Sequence, residues 1–439
     1  MKLSEELIWR GFSAKTTLKD PSELDSRESK KFYWGADPSA DSLTIGNLAA
    51  LMMCACFVRH GYQPYLLVGG ATGQIGDPKE NGERELKSLE EVEFNKSQIK
   101  SQISRIINSD SAVFLDNLDW FKDIKFLPFL REVGKSFSMT QLLDRQFVQN
   151  RIGEGGSGIS YAEFSYTLIQ GYDFLHLYRK YGVSLELCGA DQYGNCASGI
   201  HLIKRLENAN ADVWSTPLVI DPVSGKKFGK SEGNAVWLAS APVELPKAQK
   251  SQNSSNSSET SENSDSPESP RFSENFTPVF DFYQFWLNQP DSSVEYLLKI
   301  YTLIEKPELE ALLAEHKKSP EKRLAQRALA FGATSVVHGE SSAKDAEFAT
   351  DFLFSKTPDF SESSLKTLKN LLGSVSWGES ETLLDILVKS GLSSSKSEAR
   401  KLLKSGAVSY SGEKLSDESF RPSASGVLKR GKNKFAVID

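Results

Sequence analysis

KFYWGADPSADSLTIGNL, residues 31–48, decides the reading of the fold. Its first part, KFYWGAD (31–37), is strand-like, and Ile45 opens an apolar helical run that continues to His60. PYLLVGG (64–70) follows as a second strand running into glycines, so strand, helix and strand form one βαβ unit. The alternation returns in SLELCGAD (184–191), GNCASGIHLIKRL (194–206) and TPLVID (216–221). Such alternation predicts an α/β domain with a mostly parallel sheet and helices on both faces.

Three clusters within this domain carry chemistry. DPSADSLTIGNL (37–48) falls where the first strand ends and its helix begins. In an open α/β sheet this is where ligands bind, and the exposed N–H groups of the helix start favour phosphate. Ser39, Thr44 and Asn47 offer short hydrogen-bonding side chains, while Gly46 lacks the Cβ that would keep a base or ribose off the backbone. Helix capping alone also accounts for Ser42 or Thr44. GKKFGKSEGN (225–234) places Lys227 and Lys230 three residues apart on a glycine-containing loop, with Ser231 next. Two ammonium groups so placed can close on a triphosphate and neutralise charge as pyrophosphate leaves. In EFSYTLIQGYDF (163–174), Tyr166, Gln170 and Asp173 share one helical face. A core face would be apolar; a phenol, an amide and a carboxylate buried in one row must satisfy something polar.

Composition narrows the class. The chain has 439 residues, 39% of them hydrophobic and 25% charged, with a formal charge of -6. That is enough apolar material for one large core and smaller ones beside it, which excludes wholesale disorder. Cys54, Cys56, Cys188 and Cys196 are too few and too scattered for a disulfide scaffold, and none has metal-ligand spacing with the histidines. No run of 18 apolar residues exists, and MKLSEELIWRGF lacks the apolar core of a signal peptide, so a reducing cytoplasm is expected. From Ser251 to Ser269 nine of nineteen residues are Ser, and Leu, Ile, Val and Phe are missing, so residues 246–277 are expected as a disordered surface insertion. After Phe280 helical patterns take over, near 293–303, 307–316, 319–338 and 343–354. The final piece, 381–439, reads as two short helices followed by short strands, with 11 Lys and Arg against 7 Asp and Glu. A basic module on an acidic body points to a polyanion, since clustered cations gain from counterion release on nucleic acid; a solvated basic face is the plainer alternative.

Taken in order, these stretches resemble the bacterial-type tyrosyl-tRNA synthetases of class I. DPSADSLTIGN is similar to the HIGH signature and KFGKS to the KMSKS signature of that class, and YWGADPSADSL, LLVGGATGQIGDP, EFSYTLIQGYDF, CGADQYGN and KKFGKSEGNAVWL match in order outside the insertion. The resemblance implies a Rossmann-like catalytic domain over 1–245, with a connective and dimer segment at about 115–165. The insertion, 246–277, would then be followed by an α-helical anticodon-binding domain over 278–372, a linker at 373–380 and a small α+β RNA-binding domain of the S-four type over 381–439. It also implies roles. Tyr33 and Asp173 would bind the phenol of tyrosine; Tyr166, Gln170 and Asp77 its ammonium; Gln192 would lie near its carboxylate. Asp37, Ser39, Thr44, Gly46 and Asn47 would face ATP, Asp191 the ribose, and Lys227, Lys230 and Ser231 the phosphates, with Mg²⁺ accompanying the nucleotide. L-tyrosine, ATP and tRNA(Tyr) would be the partners, acting on a homodimer with no membrane contact.

The chain departs from the family pattern at several places. Thr44 and Asn47 replace the two histidines of the signature, Trp34 stands where a small Cys is usual, and Glu186 where an amide is usual. The loop after Asp77 is short and keeps Lys79 and Arg84. Two other functions fit parts of the sequence: an RNA-structure or splicing factor built on a synthetase body that has lost catalysis, and a ligase for another aromatic amino acid. Tyr33 with Asp173 opposes the latter, because an apolar substrate would strand a buried carboxylate.

Overall fold

The computed structural model describes residues 1–78, 86–143, 146–153, 155–221, 225, 227–228, 235–246, 270–355, 357–431 and 434–439. Lys79, Arg84, Lys230, Ser231 and the serine-rich stretch 247–269 therefore lie outside the described residues. The chain divides into two compact units: residues 1–277 with 290–325, and residues 278–289 with 326–439.

Five strands organise the first unit: β1 (Lys31–Ala36), β2 (Gln63–Val68), β3 (Val113–Leu115), β4 (Leu185–Gly189) and β5 (Asp212–Thr216). All recorded pairings are parallel, and the order is β3-β2-β1-β4-β5. The chain thus builds outward from β1 on one side, then returns to build from β1 on the other. The β1/β4 boundary is the switch point, where an open α/β sheet leaves a crevice at its carboxyl ends. Strands β2 and β4 are buried almost end to end, as strands covered on both faces must be. The helix Ile45–Arg59 is buried nearly all round, which explains why its sequence shows so weak a polar stripe.

TPLVID does not form the last strand. β5 ends at Thr216, because Pro217 has no N–H to extend the ladder. Beyond it, Ile220 makes only an isolated bridge to Lys227. The expected helix 319–338 starts later, at Leu324, after a 3-10 turn at Pro320–Lys322 that leaves Arg323 at φ +54°. Helices Val279–Leu287 and Glu362–Leu372 had no counterpart among the helical patterns read from the sequence.

Helices Asp291–Tyr301 and Lys306–Lys318 belong to the first unit. Arg10, only 1% exposed, shows one reason. Its Nε donates to Glu6 Oε1 (2.8 Å), and its terminal nitrogens donate to the carbonyls of Lys299 (3.0 Å), Thr302 (2.9 Å) and Ile304 (3.0 Å). A buried guanidinium is tolerated only with such full pairing.

The second unit joins helices Val279–Leu287, Glu340–Phe354 and Glu362–Leu372 to an antiparallel sheet. Its strands are β6 (Val408–Tyr410), β7 (Glu413–Lys414), β8 (Gly426–Arg430) and β9 (Lys434–Ile438), in the order β7-β6-β8-β9. Phe280, Phe352 and Leu368 pack with Val427 and Val437 of that sheet. Residues 373–380, expected as a linker, run beside β9, with Val375 N–H bonded to Val437 O at 2.9 Å.

Candidate active site

The carboxyl ends of β1, β2 and β4 converge, and each carries polar groups into the crevice. Asp37 follows β1, Gly69 and Gly70 follow β2, and Asp191 and Gln192 follow β4. Gly70 has no alternative: its N–H bonds Asp116 Oδ1 at 2.9 Å, and a Cβ there would overlap that carboxylate.

The helix Tyr161–Tyr181 lays its polar row on this crevice. It starts at Ser160, whose hydroxyl accepts from Glu163 N–H, and ends at Gly182 in the left-handed region. Tyr166 donates its hydroxyl to Asp37 Oδ2 at 2.8 Å. Asp173, 1% exposed, accepts from Asn117 Nδ2 at Oδ2 and from Trp120 Nε1 at Oδ1, both at 3.0 Å. Burial pushes the Asp173 carboxyl well up from the carboxylate range, and those two donors oppose the shift. Tyr33 sits on β1 directly across from Glu186 of β4. Burial, then the nearby Asp173, push its phenol well above its ordinary value. Tyr33, Tyr166, Asp37 and Asp173 therefore share one buried acidic neighbourhood, as their mutual electrostatic influence records.

A second cluster adjoins the first. Gln192 Nε2 donates to Asp77 Oδ2 (2.9 Å) and Asn195 Nδ2 to Asp77 Oδ1 (3.3 Å), while Thr167 Oγ1 donates to Asn195 Oδ1 (3.0 Å). Gln170 Nε2 reaches Cys196 Sγ at 3.8 Å, and Gln170 Oε1 is buried with no partner among the described residues.

The two lysine-flanked and phosphate-flavoured stretches, about 180 residues apart in sequence, come together in space. Val236 and Leu238 pair with the backbone of Leu43 and Ile45 (Ile45 N to Val236 O, 3.0 Å; Leu238 N to Leu43 O, 2.9 Å). A Cβ on Gly46 would stand 2.8 Å from the carbonyl oxygen of Phe228. The glycine was expected to make room for a nucleotide; among the described residues it makes room for the backbone of the lysine loop. Thr44 is 5% exposed, and its N–H and hydroxyl both bond Asn47 Oδ1 at 3.1 Å, a capping box at the start of Ile45–Arg59. Ser39, Asp191 and Lys227 are exposed at this end of the sheet, with Asp191 folded over Gly189.

Sequence reasoning missed Asn117, Trp120, Asn195 and Cys196. Asn117 and Trp120 are signalled only by the polar residues in FLDNLDWF (114–121), whereas Asn195 ends the matching stretch CGADQYGN (188–195) and Cys196 follows it.

Residues 25–268 and 269–355 match the family of class I tRNA synthetases for tryptophan and tyrosine, and the chain belongs to that family. Within it the chain sides with the tyrosine enzymes: residues 367–438 match the C-terminal domain of SYY-like tyrosine–tRNA ligases. The tyrosine–tRNA ligase of Bifidobacterium longum is 36% identical over 460 residues, spanning all of this chain and 96% of the relative. That of Streptococcus agalactiae is 36% identical over 457 residues, spanning both chains entirely. Among solved structures, the C-terminally truncated mitochondrial tyrosyl-tRNA synthetase of Coccidioides posadasii superposes with a TM-score of 0.63 at 26% identity, covering 79% of this chain and 91% of that one. A tryptophanyl-tRNA synthetase from Encephalitozoon cuniculi, at 12% identity and a TM-score of 0.52 over 84% of this chain and 93% of its own, shares the fold.

Proposed function

We infer that the chain is a tyrosine–tRNA ligase, joining L-tyrosine to tRNA(Tyr) at the expense of ATP. One observation carries the residue assignment: Asp173, fixed by Asn117 and Trp120, is a buried acceptor beside Tyr33. Each of its oxygens accepts one hydrogen bond and keeps a further lone pair, and a phenol hydroxyl is a donor that can use one of them. A site that hydrogen-bonds a substrate hydroxyl rejects the analogue lacking it by roughly 10⁴–10⁵; tyrosine–tRNA ligases are themselves the known example of that figure, which is taken over from them.

In the first step the tyrosine carboxylate attacks the α-phosphate of ATP, giving tyrosyl-adenylate and pyrophosphate; in the second, a ribose hydroxyl at the 3′ end of tRNA takes the tyrosyl group and AMP leaves. No protein nucleophile is involved, so rate comes from positioning and charge. Tyr33 and Asp173 hold the phenol. Gln170, Asp77 and Tyr166, the last through Asp37, form the acceptor side that faces the ammonium, and Gln192 is tied to Asp77 beside the carboxylate. Asn47 spends its oxygen on Thr44, which leaves its amide nitrogen as the donor to phosphate. Lys227 with Lys230 and Ser231 close on the departing pyrophosphate, Asp37 and Ser39 line the nucleotide cradle, Gly46 lets the backbone of Phe228 lie against the helix start beside it, and Asp191 meets the ribose. Mg²⁺ supplies counter-charge to the phosphates; the described residues group no three His, Cys, Asp or Glu side chains able to hold a metal.

The apolar surface of the connective segment supports a homodimer, with Phe126 63% and Leu127 75% exposed and Met139 and Tyr161 also exposed. For tRNA contact, Lys401, Lys404, Lys414 and Lys434 are exposed on the C-terminal domain, whereas Lys389, Lys396, Arg400 and Arg430 are engaged with Glu381, Asp385, Glu418 and Glu398. Among the described residues no helix is long and apolar enough to cross a membrane. Tyrosine-dependent exchange of pyrophosphate into ATP, followed by charging of tRNA(Tyr), tests the assignment; absence of exchange in folded protein refutes it.

A further inference from the structure

Trp120 donates its indole N–H to Asp173 Oδ1, but a single hydrogen bond leaves the plane of the ring free to tilt about it. A second constraint comes from His176. Its imidazole lies face to face with the indole, the ring centroids 4.4 Å apart and the planes 14° from parallel. Asp173 and His176 stand three residues apart on the helix Tyr161–Tyr181, so one helical turn offers an acceptor to the edge of the indole and a flat ring to its face. The imidazole is itself backed by Tyr172, at 6.3 Å and 44°. Tyr172 in turn packs against Phe121 at 5.5 Å and Phe129 at 5.8 Å. The His176 ring is thereby wedged between an aromatic cluster and the indole that aims Asp173.

Nε2 of His176 is buried with no partner among the described residues, so that edge of the ring makes no hydrogen bond. A buried nitrogen left in that state is unfavourable, and a leucine would fill similar space without the penalty. What leucine lacks is a flat π face. We propose that His176 is a positioning residue of the amino-acid pocket: its face fixes the plane of the Trp120 indole, and through that indole the direction in which Asp173 presents its carboxyl group to the substrate phenol. The proposal rests on the reading of Tyr33 and Asp173 as the phenol wall. His176 acts through Trp120, and its chemistry as an acid or base is not called upon. Burial, with Lys180 and Arg179 nearby, pulls the imidazole down from its ordinary value, so it stacks as a neutral ring at pH 7 and above.

The test is tyrosine-dependent pyrophosphate exchange at saturating ATP, with a thermal melt of each protein, for the unaltered enzyme, His176→Phe, His176→Leu, Trp120→Phe and the double variant Trp120→Phe with His176→Leu. Phenylalanine keeps a neutral flat ring, so His176→Phe should hold KM for tyrosine within about twofold of the unaltered enzyme. His176→Leu keeps the apolar volume without the face. It should raise KM roughly three- to tenfold with kcat little changed, and weaken discrimination against phenylalanine by a similar factor. Once Trp120→Phe has removed the N–H, nothing remains to be aimed, and adding His176→Leu should cost less than about twofold more. An unchanged KM in His176→Leu overturns the proposal, even where the melting temperature falls, because that is the mark of core filling alone. An equal rise in both backgrounds overturns it too, as does a rise in His176→Phe matching that of His176→Leu. Should the leucine variant not fold, His176→Met, also without a ring, is read in its place. Trp120→Phe separates the two levels: if it leaves KM for tyrosine unmoved, the phenol-wall reading falls; if it raises KM while His176→Leu does not, only His176 loses its role.

Discussion

The indole N–H of Trp120 donates to Oδ1 of Asp173 at 3.0 Å, in a site where both residues are buried. Asn117 holds the other oxygen, so the carboxylate that meets the substrate is aimed by two groups from a segment more than fifty residues away. Trp120→Phe removes one donor and leaves the shape almost intact. Hydrogen bonds to charged groups are worth ~1.5–3 kcal/mol, so KM for tyrosine should rise by roughly ten- to a hundredfold. Exchange kinetics with tyrosine varied at saturating ATP check this; discrimination against phenylalanine should shrink in the same variant.

Gly46→Ala puts a methyl 2.8 Å from the Phe228 carbonyl, and backbone on both sides leaves little to give. The lysine loop would be displaced from the helix start. The expected result is a fall in kcat of activation of about tenfold or more, with KM for tyrosine little changed, since the displaced backbone is that of the lysine loop and not of the Tyr33 and Asp173 wall. Equal losses in both parameters would contradict the separation.

Thr44 stands where the family signature has a histidine, but its surroundings oppose restoring one. At 5% exposure, with its hydroxyl bonded to Asn47, Thr44 is buried and engaged, so a larger ring there must displace its neighbours and give up that bond. Thr44→His should lower stability by about 1–3 kcal/mol through overpacking and loss of the capping box, and should not raise the rate. Thermal melting and exchange assays on the same preparation decide it.

Glu186 makes stability depend on pH. Its folded value is about 8 against an ordinary 4.5, so the fold favours the neutral acid. That contribution is complete below about pH 4.5 and is lost as pH rises through 8. On the order of a few kcal/mol is involved, and Glu186→Gln should flatten the decline of melting temperature between pH 6 and 9.

Removing residues 249–268 leaves the anchors of the insertion in place: Leu245 N–H still bonds Arg271 O (2.8 Å), and Ser273 N–H still bonds Val243 O (2.8 Å). Charging of tRNA(Tyr) by the shortened enzyme should stay within about twofold of the full chain, because no apolar residue is lost from any core. A large loss would give the segment a direct role.

Much of the fold was readable because β1, the helix Ile45–Arg59, β2 and β4 each carry their own pattern and their own stop signals in glycine. The row Tyr166, Gln170, Asp173 was readable for the same reason: one helix fixes the spacing. What stayed hidden depends on partners distant in sequence. Asn117 and Trp120 gain meaning only when β3 sets them below Asp173, and β3 itself is three residues long. Gly46 was read as a place where a base or ribose lies close, and the group that the fold brings there is the Phe228 carbonyl, a tertiary fact. The end of β5 was misplaced although Pro217 marked it.

The carbonyls of Lys299, Thr302 and Ile304 that surround Arg10 bear on how the gene may be cut. A truncation at 277, the end of the first stretch of the sheet-bearing unit, would strip a sealed guanidinium of three acceptors and expose it together with Glu6. A fragment that keeps Arg10 sealed must therefore extend past Ile304, and the first unit itself runs to 325.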